Sequence, residues 1–270
     1  MMTRSIAKLL LILSMSMAAP CSWALDIPEN GDAVNYQLGA SSDVVVAKFV
    51  RRDNNGYSFE VADTLRGEVP KTFVLQEDGY LRGYGLRPGQ SYLLYLRKIG
   101  QTVTLGTSIH SIQPVATNEV PAYKEAIGSH VANLGRRDAL KPVLKKQAES
   151  SVQYLQYSAV ADLKRLQLLD KNDVAELARL LESRRIVDPR AKVLVIDGIG
   201  ATNSQDFAPL LESLATNRSE PTPARGAAIT ALHKLNATES LKKIGPSITN
   251  ERSPALIRKL LPAEAEKLRQ

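Results

Sequence analysis

Val193-Leu194-Val195-Ile196-Asp197-Gly198-Ile199-Gly200 supports two opposite readings, and the choice between them decides the architecture of half the chain. Taken as a β-branched strand running into glycines, it suggests a dinucleotide-binding turn, but the third glycine of that fingerprint is missing. Taken as a helix, it places Val193, Ile196 and Ile199 on one face. The surrounding chain favours the helix. Val160, Leu163 and Leu166 stand 33 residues earlier, and Ile229, Leu232 and Leu235 stand 36 residues later in a plainly helical pattern.

A second apolar pattern alternates with the first. Val174, Leu177 and Leu181 recur as Phe207, Leu210 and Leu214, then as Leu241, Ile244 and Ile248. Asp173, Asp206 and Ser240 precede or open these runs and are the expected helix caps. Pro189, Pro223 and Pro254 fall near the starts of the first-type helices, where proline costs least. Two alternating helical patterns at a period of 33–36 residues mark a helical solenoid. In such a stack each pair buries its apolar face only against its neighbours. The register over 151–270 resembles HEAT-like repeats, though somewhat short for that class. The tetratricopeptide Trp and Tyr pattern and the ankyrin Thr-Pro-Leu-His are missing. In HEAT-like proteins the second helix of each pair lines the concave binding face. The resemblance therefore implies Glu176 and Arg179, Glu212, and Lys242 and Lys243 as the partner-binding residues. Upstream, 119–150 reads as a helical connector, with Pro121 at its start and Tyr123, Ile127, Val131 and Leu134 at helical spacing.

The front half follows a different period. Val44-Val45-Val46-Ala47-Lys48-Phe49-Val50 is a β-branched run closed by Asn54-Asn55-Gly56, a tight-turn signal. Tyr57, Phe59 and Val61 then alternate with Ser58, Glu60 and Ala62. Further runs lie at Thr72 to Gln76, at Ser91 to Arg97 after the Pro88-Gly89 turn, and at Thr102 to Leu105. Five short strands without an interposed long helix predict a small antiparallel barrel or sandwich. The order Ser42-Asp43-Val44-Val45-Val46, Tyr57-x-Phe59-x-Val61, Leu65-Arg66-Gly67, Leu86-x-Pro88-Gly89 and Tyr92-Leu93-Leu94 resembles the netrin-like module. That is the OB-type barrel shared with tissue inhibitors of metalloproteases. Those inhibitors place an N-terminal cysteine on the target's metal. Here the only cysteine is Cys21, so the resemblance implies the barrel and not the inhibitory mechanism.

The first residues have the grammar of an export signal. Arg4 and Lys8 precede an apolar run from Leu9 to about Met17, and Ser22-Trp23-Ala24 is a small-x-small cleavage site. That run is shorter than the roughly 20 residues a membrane span needs. The expected organisation is a signal peptide at 1–24, an OB/netrin-like β-domain at 25–118, a connector at 119–150 and helical repeats at 151–270. Cleavage after Ala24 removes Cys21 and leaves a chain without thiol chemistry in a periplasmic or secreted setting.

Charge is uneven: residues 25–120 carry 9 Lys/Arg against 11 Asp/Glu, while 121–270 carry 24 against 17. The slight acidity of the front half argues against nucleic acid, whose binding rests on cations. Tyr57, Tyr80, Tyr84, Tyr92 and Tyr95 are candidates for a stacking platform that would take a glycan, against the alternative that they pack the barrel.

Motifs for chemistry are sparse. Ser240 and Lys243 match a Ser-x-x-Lys nucleophile pattern, yet its companion motifs are absent. His110, His130 and His233 are isolated from one another at ligand spacing. No cofactor or metal is expected. The chain is thus read as an α+β protein, an OB-like β-barrel followed by a short HEAT-like solenoid. The expected function is a non-catalytic module that binds an envelope or extracellular protein. The alternatives are a hydrolase inhibitor working through barrel loops such as 78–87, a glycan binder, or an enzyme with an unrecorded carboxylate pair.

Overall fold

The computed structural model describes residues 33–249 except 77–80, 83, 101 and 108–110. The expected signal at 1–24, together with Tyr80, His110 and Pro254, lies outside the described residues. The architecture is α+β, a curled antiparallel sheet followed by helices.

Six strands make the sheet: β1 (Asp43–Asp53), β2 (Gly56–Arg66), β3 (Thr72–Leu75), β4 (Ser91–Ile99), β5 (Thr102–Leu105) and β6 (Ile112–Val115). Their order is β3-β2-β1-β4-β5, with β6 also paired to β4. The Asn54-Asn55-Gly56 turn joins β1 to β2 as expected. Gly56 has φ +126°, and a Cβ there would lie 2.2 Å from the Leu75 carbonyl oxygen, so only glycine fits. Register shifts interrupt the β1–β2 ladder at Val44/Val45, Val46/Ala47 and Phe49/Arg51. Such bulges bend and twist a strand pair, and here they accompany the curl of the sheet into a half-barrel. The end strands β3 and β5 approach each other, but no pairing joins them among the described residues.

The unbroken apolar run of β1 is explained by burial on both sides. Val45, Ala47 and Phe49 pack inside the curl with Phe59, Leu94 and Leu96. Val44 and Val46, with Leu93 and Tyr95 of β4, face the helices. β6 was not expected; a proline at position 114 breaks its four-residue β pattern and hides it.

A short helix, α1 (Val34–Ala40), precedes the sheet; the sequence reading places it inside the β-domain. After the sheet come α2 (Val120–Ala132), α3 (Arg137–Gln147), α4 (Gln153–Arg165), α5 (Lys171–Glu182), α6 (Pro189–Gly200), α7 (Ala208–Thr216), α8 (Thr222–Lys234) and α9 (Thr238–Thr249). Val193 to Gly200 is therefore helix α6. Helix α6 packs between α4 and α8, while α5 packs on α6, α7 on α8, and α9 on both α7 and α8. Leu163, Ile196 and Leu232 are fully buried on α4, α6 and α8. The ends of α4 and α8 also match. Leu168 N–H donates to the Leu163 carbonyl at 2.9 Å, and Ala237 N–H to the Leu232 carbonyl at 3.0 Å. Gln167 and Asn236 supply the left-handed residue that this closure requires.

Several local expectations need correction. Asp173 is not the cap of α5: Asp170 is, accepting from the Asn172 and Asp173 amides, and Asp173 answers from the third helical position in a reciprocal capping box. Asp206 lies in a 3-10 turn capped by Ser204. Ser240 lies inside α9. On α7 the fully buried leucine is Leu211, whereas Phe207 and Leu210 are only partly covered. On α2, Val131 is exposed and Leu134 falls beyond the helix end; the buried face is Tyr123, Ala126, Ile127 and His130. The i, i+4, i+7 spacing of Tyr123, Ile127 and His130 is as regular as the expected one.

The described residues belong to one compact unit. Val34 and Leu38 of α1, the outer faces of β1 and β4, and Tyr123, Ile127, Tyr154 and Leu155 share one apolar core. Among the described residues, no helix is long and apolar enough to cross a membrane.

Candidate functional site

The candidate residues lie on three alternate helices: Glu176 and Arg179 on α5, Glu212 on α7, Lys242 and Lys243 on α9. Each of these helices turns leucines or isoleucines inward; Arg179, Lys242 and Lys243 are exposed, whereas the Glu212 side chain is mostly covered. Glu212 and Lys243 are brought together, with Nζ 2.5 Å from Oε2, so this pair joins α7 to α9. Ser240 also hydrogen-bonds the Glu212 carboxylate. Burial works to raise the Glu212 carboxyl, but Lys243 and Ser240 outweigh it and hold it below the ordinary glutamate range. Lys242 turns to Glu239 on its own helix at 3.0 Å, and Arg179 is exposed away from both.

Glu176 belongs to a second cluster, which the sequence reading missed. Lys145 of α3 lies 2.5 Å from Glu176 and 3.1 Å from Asp173; Lys141, one turn away, lies 2.6 Å from Asp173 and 2.9 Å from Asp170. The signal was available in the Lys141/Lys145 spacing of four and in Asp170-x-x-Asp173-x-x-Glu176. Only the tertiary packing shows that the two rows face each other. Burial tends to raise the Asp173 carboxyl, but the Asp170 amide and both lysines bring it below the usual aspartate range. Hydrogen bonds donated to the carboxylates hold Lys141 and Lys145 more firmly protonated than free lysine.

This cluster borders a groove of about 680 Å³ between α2 and α3, whose carboxylates are Glu125, Glu149 and Glu176. Each is held by a cation: Glu125 by Lys146 at 2.8 Å, Glu176 by Lys145, and Glu149 by Arg185. The hydrogen bond from Lys146 lowers the Glu125 carboxyl further. General acid catalysis near neutrality needs a carboxyl raised toward the working pH, and at Glu125 the lysine acts in the other direction. The Ser-x-x-Lys match fares similarly. Ser240 is buried and bonded to a carboxylate held in its weakly basic form, and Lys243 neutralises the same carboxylate without activating the hydroxyl.

Of the platform tyrosines, four are among the described residues. Tyr57, Tyr92 and Tyr95 are buried; Tyr84 is half-buried, and its hydroxyl donates to the Ile112 carbonyl at 2.8 Å. Burial, with Tyr92 nearby, raises the Tyr84 phenol to about 12. Within the 78–87 loop, Leu81 is buried and Tyr84 is tied to β6, so these two residues fold back onto the sheet. His233 is exposed on α8, whereas His130 is enclosed, with Nε2 2.9 Å from Gln147 Oε1. Among the described residues, no three His, Cys, Asp or Glu side chains converge as metal ligands. Comparison with protein-family models, curated proteins and solved structures finds no match to this chain.

Proposed function

We propose that the protein is an exported, non-catalytic interaction module whose helices are HEAT-like repeats that grip another envelope or extracellular protein. The sheet is a netrin-like half-barrel that carries the stack. One observation carries the reading: charges on the second helices are tied across neighbouring helices, Lys145 to Glu176 and Glu212 to Lys243. Solvated lysines and glutamates otherwise lose side-chain freedom on binding, at a cost of about 0.5–1.5 kcal/mol each. Pairs already held in place carry less of that cost and present a fixed pattern of both signs, which suits a partner of mixed charge. The pairing of every groove carboxylate with a cation supports binding over hydrolysis.

The test is capture of partners from native envelope extract by the tagged full-length protein, compared with a Lys242→Glu/Lys243→Glu double variant. A specific partner should be captured by the native protein and associate more slowly with the variant, and the difference should shrink as salt rises. A hydrolase or transferase activity that copurifies and is abolished by one substitution at Ser240, Glu125 or Glu149 would replace this reading.

A further inference from the structure

His130 is fully buried in the core that α2 shares with α3 and α4. An amide oxygen only accepts, so the 2.9 Å contact with Gln147 Oε1 places a proton on Nε2. Nδ1 is then a proton acceptor, and it is buried without any hydrogen-bond partner. The nearby charge is Asp162 of α4, also fully buried. Its Oδ2 accepts the Asn35 amide of α1 at 3.0 Å, and its Oδ1 accepts from Arg165 at 3.0 Å. Beside it, the Ser158 hydroxyl accepts the Val34 amide at 2.7 Å. Two polar side chains of α4 thus seat the first turn of α1.

Around this junction stand phenols, Arg165, Arg66, which donates to the Leu38 carbonyl of α1 at 2.7 Å, and the exposed Lys146–Glu125 pair that joins α3 to α2. Tyr123 comes from α2 and Tyr154 from α4, with the Tyr154 hydroxyl 3.3 Å from that of Tyr95 on β4. Arg165 lies over the Tyr36 ring of α1. From α3 the neutral Gln147 reaches the imidazole.

We propose that His130 makes the junction of α1, α2 and α4 acid-sensitive: a proton taken up at Nδ1 is relieved by α2 opening from α4, ahead of global unfolding. An imidazolium at this position has one ring N–H on Gln147 and the other without an acceptor, inside a core that disfavours charge. Opening α2 hydrates the ring. It also hydrates Asp162, which loosens the seat of α1.

The sign follows from proton linkage. Burial lowers the tendency of His130 to protonate, against smaller opposing effects of Gln147 and Asp162. A freely solvated histidine titrates near 6.5, so below that value the open form binds more protons and opening grows as pH falls. Asp162 acts in the opposite direction. Burial raises its carboxyl despite the Asn35 amide, His130 and Arg165, so its own protonation in acid favours the closed form.

The measurement is amide hydrogen exchange of the full chain at pH 7.5 and 5.5, corrected for intrinsic exchange rates. The α2 amides should open more often at pH 5.5, by at most about tenfold, with the central amides of α6 as the internal reference. In His130→Gln the acid-induced rise should be absent, and what Asp162 contributes favours the closed form at the lower pH. Should that variant not fold, Gln147→Glu decides: a carboxylate facing Nε2 supports the imidazolium, and the acid-induced opening should vanish or reverse. An unchanged α2 in the native protein, a rise that persists in His130→Gln, or one that persists in Gln147→Glu would each overturn the proposal.

Discussion

Replacing Gly198 and Gly200 separately by alanine tests the helical assignment of the stretch that decides the fold. Both glycines lie in α6 without the positive φ that demands glycine. At Gly198 an added Cβ meets only Val174 Cγ2, at 3.9 Å, which is ordinary contact. Alanine inside a helix is worth about 0.5–1 kcal/mol over glycine. Gly198→Ala should therefore stabilise by that amount. At Gly200 the Cβ would stand 3.1 Å from Ala231 Cα and 3.2 Å from both Ala231 Cβ and Lys234 Cδ. The lysine tip moves aside readily, but the α8 backbone at Ala231 does not. Overpacking of this kind costs about 1–3 kcal/mol. The gain in propensity is smaller at the last residue of a helix, so a net loss of about 1–2 kcal/mol is expected. A unit of this size shifts Tm by about 2–4 °C per kcal/mol. Thermal unfolding should then give Gly198→Ala about 1–4 °C above the native protein and Gly200→Ala about 2–8 °C below it. Gly200→Ala at or above native, or a loss of several kcal/mol at Gly198, would refute the close α6–α8 approach and the helical assignment with it.

Leu163→Ala, Ile196→Ala and Leu232→Ala should each cost about 2–5 kcal/mol in chemical denaturation, since all three side chains are fully buried at equivalent points; an unaffected midpoint at any of them would break the equivalence. Gln156→Leu should cost about 3 kcal/mol in the same assay, because its amide accepts from the Val187 and Asp188 N–H groups and donates to the Arg185 carbonyl, leaving buried backbone groups unpaired. Asp173 is held below its ordinary range, so its contribution is present above pH 4 and lost as pH falls below it; Asp173→Asn should flatten that part of the stability–pH curve. Lys243→Ala should alter stability by less than about 1 kcal/mol, because its side chain is 74% exposed in the Glu212 pair.

Local patterns recovered much of the architecture. The alternation at Tyr57, Phe59 and Val61 and the Asn54-Asn55-Gly56 turn marked the first hairpin, and the recurrence of Leu163, Ile196 and Leu232 marked three helices in step. These signals are legible because periods of 2 and 3.6 residues are written directly into the order of side chains. Caps were read less well. Asp170 and Asp173 both fit a helix start, and only backbone geometry tells the cap from its reciprocal partner.

Of the candidate site, the sequence alone determined which helices carry Glu176, Arg179, Glu212, Lys242 and Lys243. Tertiary structure decided which charges meet. Lys243 reaches Glu212 across 31 residues, and Lys145 reaches Glu176 from a helix read only as a connector. It also decided that His130 and Asp162 are buried, that α1 is seated on α4, and that β3 and β5 approach without pairing. The physical reason is common to all of these. Periodicity tells each element which face turns inward, whereas the partner on that face is set by how elements distant in the chain come to pack, and a side chain's charge or burial follows from that partner.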